Sequence, residues 1–347
     1  MAEEEKTYLL ETTVVGRRVK YSKYNKLQKE RPELYKELGG DPDTIYKNIK
    51  KLIPQKQKGR KATRTYNWTF CTKKPVGFSF KKKTESFDEF INSLNKPYTK
   101  EGDVYIFGDI AVEYCDLMKW SEKGCKKGDL TKKSEDYLKR GIRSIHVFGD
   151  EWENRTDIVK SIIKTSLGIY DRRIFARKCK VRYLDKKEEK EFFNRCHLQG
   201  FSASRHCLGL IYKGEVVAAI SLASPRFSKD TDWELIRYAN ALNTQIIGGF
   251  SKLLTHFRKD YKGSITSYSD RRLFAGNLYR QIFKELPPSG EDYYYTEGTI
   301  RENRIKFQKY KLVNAFPEWA NDTEWVIANR LGWYRIWGCG NWKFRLD

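Results

Sequence analysis

The stretch EGDVYIFGDIAVEYC, residues 101 to 115, constrains the fold more than any other part of this chain. Apolar residues alternate on both sides of Gly108-Asp109, a dipeptide suited to a tight reversal, so the segment predicts a β-hairpin. A reversal there gathers Val104, Ile106, Ile110 and Val112 on one face. Pairing that pivots on Gly108 sets Asp103 across from Glu113 on the other. Like charges facing each other across a ladder repel. Two readings explain the arrangement: a bound divalent metal ion, or carboxylates that simply face solvent.

The hairpin stands in an ordered context. A helical pattern, SFDEFINSL, precedes it. The helix LTKKSEDYLKRG, the strand IRSIHVF and the helix RTDIVKSIIKTSLG follow. Together they predict a small mixed sheet flanked by helices, over residues 78–170. Residues 174–347 alternate differently. Strands are predicted at IFARKCKVRYL, CLGLIYKGEVVAAISLA, WELIRYANAL and SITSYSD, with a tight turn at Lys213-Gly214. Helices are predicted at KKEEKEFFNRC, GGFSKLLTHFRKD and LFAGNLYRQIF, and the end, WYRIWGCGNWKFRL, reads as one more hairpin. Residues 1–70 read as a small α+β module and linker. TYLLETTVVGRRVKY predicts two strands about Gly16, SKYNKLQKERPELYKELGG a helix interrupted near Pro32, and PDTIYKNIKKLI another helix. The whole is an α/β chain, α+β overall.

Charge says most about partners. Sixty-eight Lys and Arg against 45 Asp and Glu leave a net +23 over 347 residues. Residues 46 to 100 alone hold 15 basic and 3 acidic side chains. So clustered a surplus predicts a polyanion, most simply double-stranded DNA. The segment PQKQKGRKATR has no apolar period and reads as a linker or a DNA-contacting arm. Candidate phosphate contacts are Lys56, Lys58, Arg60, Lys61, Arg64, Lys81, Lys82 and Lys83. A solvated basic surface is the plainer reading of the same residues.

Other classes drop out. No apolar run approaches the roughly 18–20 residues of a membrane span. The acidic start, MAEEEKTYLL, is unlike a secretory or transit signal. Seven scattered cysteines form no C-x-x-C pair, so reduced thiols in a cytoplasmic compartment are expected rather than a disulfide framework. The four histidines form no H-x-x-x-H pair, which sets aside a two-histidine zinc hydrolase.

Two strand carboxylates ten residues apart suit Mg²⁺ or Mn²⁺, with phosphate and water completing an oxygen shell. Such an ion polarises a phosphate and lowers the pKa of an attacking water. A nearby lysine would stabilise the developing charge.

These residues also carry a resemblance. EGDVYIFGDIAVEY, the helix with Lys133, GIRSIHVFGDEW and DIVKS resemble a family of phage homing endonucleases. Its nuclease domain is similar to the very-short-patch repair endonucleases, of PD-(D/E)xK type. Their pattern runs E-x-D-I-Y-I-P-E-x-x-x-x-I-E-Y-N-G-x-x-W-H, then Y-H-x-x-K, then K-G-I-x-x-I-x-I-F-E-D-E-W. The resemblance implies a catalytic metal held by Asp103 and Glu113, with Lys133 as the helix lysine and Glu101 at the initial acid. Phe148, Asp150, Glu151 and Trp152 match the end of the pattern. The departures fall at the site. Lys119-Trp120 stands for W-H, Leu130 for the helix histidine, Cys115-Asp116 for N-G, and Gly149 for the first acid of F-E-D-E-W. Both histidines expected near the metal are therefore missing from those positions.

The likeness extends through HLQGFS, CLGLIYKGEVVA, ELIRYANALNTQIIGGFSKLL, SYSDRRLFAGNLY and RIWGCGNWKF, about residues 78 to 345 in all. TQIIGG before a helix also looks like the pyrophosphate-binding turn of the GNAT acyltransferase fold, with Phe250 where a small residue is preferred. The phage DNA-modifying Mom proteins look similar here. Arg271 and Arg272 in SYSDRR could clamp phosphate, or pair with Asp270 as a structural ion pair. His197 receives no chemistry.

Three parts are thus expected: a small basic N-terminal module, a small mixed-sheet nuclease-like domain, and a GNAT-like mixed-sheet domain. The favoured function is a phage homing-type endonuclease hydrolysing DNA in the cytoplasm of an infected bacterial host. A DNA-binding protein with an inactive nuclease site and a GNAT-like transferase remain as alternatives.

Overall fold

A computed structural model describes residues 7–11, 32–37, 40, 41, 44, 69–72, 86–226 and 230–347. The chain divides into two compact units, Met1–Thr84 and Glu85–Asp347. In the first, β1 (Thr7–Glu11) pairs antiparallel with β2 (Thr69–Thr72). TYLLE therefore finds a partner far along the chain; the segment just after Gly16 lies outside the described residues. Pro32 is the first residue of α1 (Pro32–Glu37), and the preceding part of the predicted helix lies outside the described residues. The first turn tolerates proline because its N–H would have no intrahelical partner there. The basic candidates Lys56, Lys58, Arg60, Lys61, Arg64, Lys81, Lys82 and Lys83 all lie outside the described residues, as does the predicted helix PDTIYKNIKKLI.

The second unit opens with α2 (Phe87–Ser93). Ser86 caps it: its Oγ accepts from the Glu89 N–H, and the Glu89 carboxylate accepts from the Ser86 N–H. Next come β3 (Thr99–Glu101), β4 (Val104–Phe107), β5 (Ile110–Cys115), α3 (Asp129–Lys139), β6 (Arg143–Phe148), α4 (Gly149–Asn154) and α5 (Thr156–Ser166). The sheet order is β3-β4-β5-β6. The first three strands are antiparallel, and β6 lies parallel to β5 after the α3 crossover.

The hairpin does turn at Gly108-Asp109, but as a two-residue loop with Phe107 opposite Ile110. Glu113 therefore faces Val104, not Asp103. A one-residue change of register exchanges faces. Tyr105, Phe107, Ile110 and Val112 pack with Phe87, Phe90, Trp152, Val159 and Ile163 on one side. Val104, Ile106 and Ala111 pack with Tyr137 of α3 on the other. Both faces of this sheet are covered, so Glu113 points into the interior.

The remaining elements are β7 (Arg172–Phe175), β8 (Lys180–Tyr183), α6 (Lys186–Cys196), β9 (His206–Tyr212), β10 (Glu215–Ala223), β11 (Trp233–Asn240), β12 (Thr244–Ile247), α7 (Gly249–Asp260), β13 (Ile265–Asp270), α8 (Asn277–Arg280), β14 (Lys284–Leu286), β15 (Tyr293–Thr296), β16 (Arg301–Asn303), α9 (Lys309–Ala315), α10 (Glu324–Arg330), β17 (Tyr334–Trp337) and β18 (Asn341–Leu346). A seven-stranded mixed sheet runs β14-β18-β13-β11-β10-β9-β8. The β9–β10 hairpin turns at Lys213-Gly214, both at positive φ, as a tight primed turn requires. α7 packs on this sheet through Phe250, Leu253, Leu254 and Phe257, beside Leu208, Leu210 and Ile220. The parallel ladder between β11 and β13 covers only Trp233–Leu235 and Ile265–Ser267.

Three further expectations change. IFARKCKVRYL breaks into β7, which pairs with β12, and β8, at the edge of the large sheet. LFAGNLYRQIF forms only the four-residue α8, because Gly276 takes φ +77° and a Cβ there would meet Phe344 Cζ at 2.7 Å. The terminal segment is no hairpin. β17 joins a three-stranded sheet with β15 and β16, while β18 inserts between β13 and β14. Gly340, at φ +70°, makes the crossing possible, since a Cβ there would lie 2.5 Å from the Gly290 carbonyl. No helix among the described residues is long and apolar enough to cross a membrane. Cysteines 115, 125, 179, 196, 207 and 339 are free thiols.

Candidate metal centre

Glu113, a carboxylate on β5, is only 2% exposed. Its neighbour in the parallel ladder is His146 of β6, 1% exposed. Strand alternation sends Ile145 and Val147 to the opposite face and turns His146 toward α3. α3 supplies the third group. Leu130 anchors the helix among Cys115, Leu117 and Phe148. One turn on, Lys133 and Ser134 project over the sheet.

Lys133 Nζ donates to Glu113 Oε1 at 2.7 Å. His146 Nδ1 lies 2.9 Å from Glu113 Oε2, and its Nε2 lies 2.8 Å from Ser134 Oγ. Burial alone would push the Glu113 carboxyl up. Hydrogen bonds and charge from His146 and Lys133 outweigh it and hold the group below the usual carboxylate range. At His146 burial dominates and lowers the pKa below the ordinary imidazole value, against the pull of Glu113. The side chain of Lys133 keeps 30% exposure, with its ammonium 5.2 Å from the Trp120 ring centre.

The carboxylates of the predicted pair part company. Asp103 lies in the turn between β3 and β4, 59% exposed, and forms an ion pair with Lys119. Lys119 accounts for most of the fall in its pKa, and Lys133 and Lys100 add to it. Lys133 thus bears electrostatically on both acids. Glu101 is engaged elsewhere, by the fork of Arg140 at 2.8 and 2.6 Å.

Beside Glu113 and on the same face is Cys115, fully buried. Single donor atoms of Glu113, Cys115 and His146 all lie within 4.8 Å of one another, so this buried group could hold a metal ion. Sequence reasoning missed two of its three members. It sought histidines at positions 120 and 130, where Trp120 and Leu130 stand. The signal was the alternation in S-I-H-V-F, which puts His146 beside Glu113 once the two strands are parallel.

Of the two arginines in SYSDRR, Arg272 is built into a buried ion-pair joint. Arg272 is 4% exposed and grips Glu151 through both terminal nitrogens at 2.7 Å, with Asp270 at 3.2 Å. It also donates to the His146 carbonyl at 2.5 Å and accepts from the His146 N–H at 3.1 Å. Arg301 completes the joint, reaching Asp150 at 2.6 Å and Glu151 at 2.7 Å. Both guanidinium groups lie over the Phe148 ring, 4.4 and 4.2 Å from its centre. The buried carboxylate of Glu151 captures Arg272 because a fork matches it in a site closed to water. Arg271 is mostly covered, 4.7 Å from the Trp342 ring centre and 3.5 Å from Glu135.

In the TQIIGG segment, β12 leads to Gly248 at φ +74° and then into α7. A Cβ on Gly249 would lie 2.7 Å from Ile246 Cγ2, so close packing accounts for that glycine. His197 caps the C-terminus of α6, its pKa lowered by burial to about 3.

The chain matches no family model, and no curated protein shows significant similarity to it.

Proposed function

We propose that the chain is a divalent-metal-dependent DNA endonuclease of the homing type, hydrolysing phosphodiester bonds at the face formed by β4, β5 and α3. One observation carries the reading: the buried, ionised Glu113 is paired with a partly exposed lysine whose charge also reaches Asp103. A buried carboxylate costs several kcal/mol unless cations hold it. Here the partner is a flexible ammonium that can leave, not a rigid guanidinium fork.

Glu113 and Asp103 would hold Mg²⁺ or Mn²⁺ in place of the lysine contacts. The ion would supply Lewis acidity toward the phosphate and lower the pKa of a water. The fit is partial: two carboxylates suit a hard ion, and Asp103 must release Lys119 to take part. Lys133, released from Glu113, then meets the negative charge that grows on the phosphoryl oxygens. His146 fixes the Glu113 carboxylate, and Arg272 fixes the His146 backbone. Lys119, Lys123, Lys126, Lys127 and Lys132 are exposed on α3 and the loop before it. They would follow the DNA backbone, each neutralised phosphate adding about −0.9 to the slope of log K against log salt.

The test is incubation with a library of random double-stranded DNA and Mg²⁺ or Mn²⁺, the new ends being read by sequencing. Wild type should cut and Lys133→Met should not, while chelator stops both. Salt-sensitive binding without cutting would leave a DNA-binding protein with an inactive site.

A second reading, a transferase, draws on one feature. A cavity of about 870 Å³ opens where β11 and β13 part, lined by Arg155, Arg237, Tyr238, Asp270 and Tyr279. It predicts saturable binding of an acyl-coenzyme A that Gly248→Asp abolishes, measured by calorimetry.

A further inference from the structure

The two oxygens of Glu113 face different surroundings. Oε1 meets Lys133, which is partly exposed. Oε2 meets His146 Nδ1 in the interior, and the Cys115 thiol lies in the same buried group. Single donor atoms of Glu113, Cys115 and His146 lie within 4.8 Å of one another there, and Ser134 Oγ lies 2.8 Å from the other ring nitrogen of His146, Nε2.

We propose that the inner side of Glu113 is a transition-metal site, formed by Glu113, Cys115 and His146 and distinct from the outer, oxygen-only face toward Asp103. Nitrogen, oxygen and sulfur donors together select Zn²⁺ or a similar borderline ion and disfavour Mg²⁺. One carboxylate and one thiolate neutralise a divalent ion, so the buried cluster carries no net charge, as a low-dielectric interior favours. The surroundings are those of a supported site. Leu117, Leu130, Phe148 and Ile336 exclude water around Cys115, Ser134 orients the ring, and Arg272 clamps the backbone of β6 at His146. Because Glu113 has a second oxygen, the inner ion does not by itself remove the outer contact with Lys133. The inference does not depend on DNA cleavage.

Cobalt(II) titration of the full chain in excess Mg²⁺ tests the proposal. One Co²⁺ per chain should bind, with a thiolate-to-cobalt charge-transfer absorption. Cys115→Ala should lose that absorption, and Cys196→Ala, also buried but elsewhere, should keep it, with folding followed by circular dichroism. No absorption in wild type, or an unchanged one in Cys115→Ala, would overturn the proposal. Should Cys115→Ala fail to fold, X-ray absorption of the zinc-loaded wild type decides the matter. One sulfur at about 2.3 Å with nitrogen and oxygen at about 2.0–2.1 Å is expected, and a shell of oxygen and nitrogen alone would refute it. The same spectra separate the two claims. Mg²⁺-dependent cutting without a sulfur-bound ion sinks only the inner site, whereas a sulfur-bound ion without cutting sinks only the nuclease.

Discussion

Two glutamates are buried close together in one fold, and they are held in opposite ways. Glu151 is 7% exposed and meets Arg272 and Arg301, two rigid forks that occupy both its oxygens, with the Phe148 N–H at 3.2 Å besides. Glu113 is 2% exposed and meets one mobile ammonium and one imidazole. Both carboxyls lie below their usual range despite burial, through Arg272 and Arg301 in one case and His146 and Lys133 in the other. A carboxylate saturated by guanidinium groups has no valence left for a ligand and serves as a rivet between β6, α4, β13 and β16. One held by displaceable partners is ionised, buried and still able to exchange them. That difference separates structure from function here better than burial or charge does.

Removing the rivet should have the largest effect. Glu151→Ala leaves two buried guanidinium groups short of a partner and should cost about 3–5 kcal/mol in urea unfolding. A loss under about 1 kcal/mol would break the comparison. Glu113→Gln should behave the other way, with cutting down at least about 100-fold and stability within about 1–2 kcal/mol of wild type. Lys133→Met should match it in cutting and cost more stability than Glu113→Gln, since it leaves the buried Glu113 carboxylate without its ammonium.

Acid sharpens the contrast further. His197 has a folded pKa of about 3 against about 6.5 unfolded. The unfolded chain therefore binds more protons as pH falls between those values, and stability declines from about pH 6.5 downward. Glu151, whose folded value is lowered, begins to lose its contribution only below the ordinary glutamate range. His197→Gln should flatten the decline between pH 6.5 and 4.5, and Glu151→Gln should leave its slope unchanged, as read by unfolding at several pH values. The smallest effect belongs to Asp103→Asn. Its pair with Lys119 is exposed on both sides, so stability should move by less than about 1 kcal/mol. A fall in cutting in the same variant would place Asp103 in the working site.

How far the sequence was legible follows from the range of its signals. Local ones held: the helices at SFDEFINSL and LTKKSEDYLKRG, the turn at Gly108-Asp109 and the Lys213-Gly214 hairpin. Register did not, because a turn pivoting on one residue and a turn of two look alike in sequence yet place Glu113 against different partners. Long-range pairing was also out of reach. Nothing local in SYSDRR says that Arg272 will meet Glu151, or that β17 and β18 will leave for separate sheets. Lys133 was singled out by the resemblance alone, and its 2.7 Å contact with Glu113 comes from α3 packing over the hairpin. His146 and Cys115 became part of the site only when the parallel β5–β6 ladder was known.

The most direct test measures cutting and stability together in Glu113→Gln and Glu151→Gln, side by side with wild type in Mn²⁺. The account predicts that Glu113→Gln keeps its unfolding midpoint and stops cutting, while Glu151→Gln unfolds at lower urea. Cutting at the wild-type rate by Glu113→Gln would contradict it.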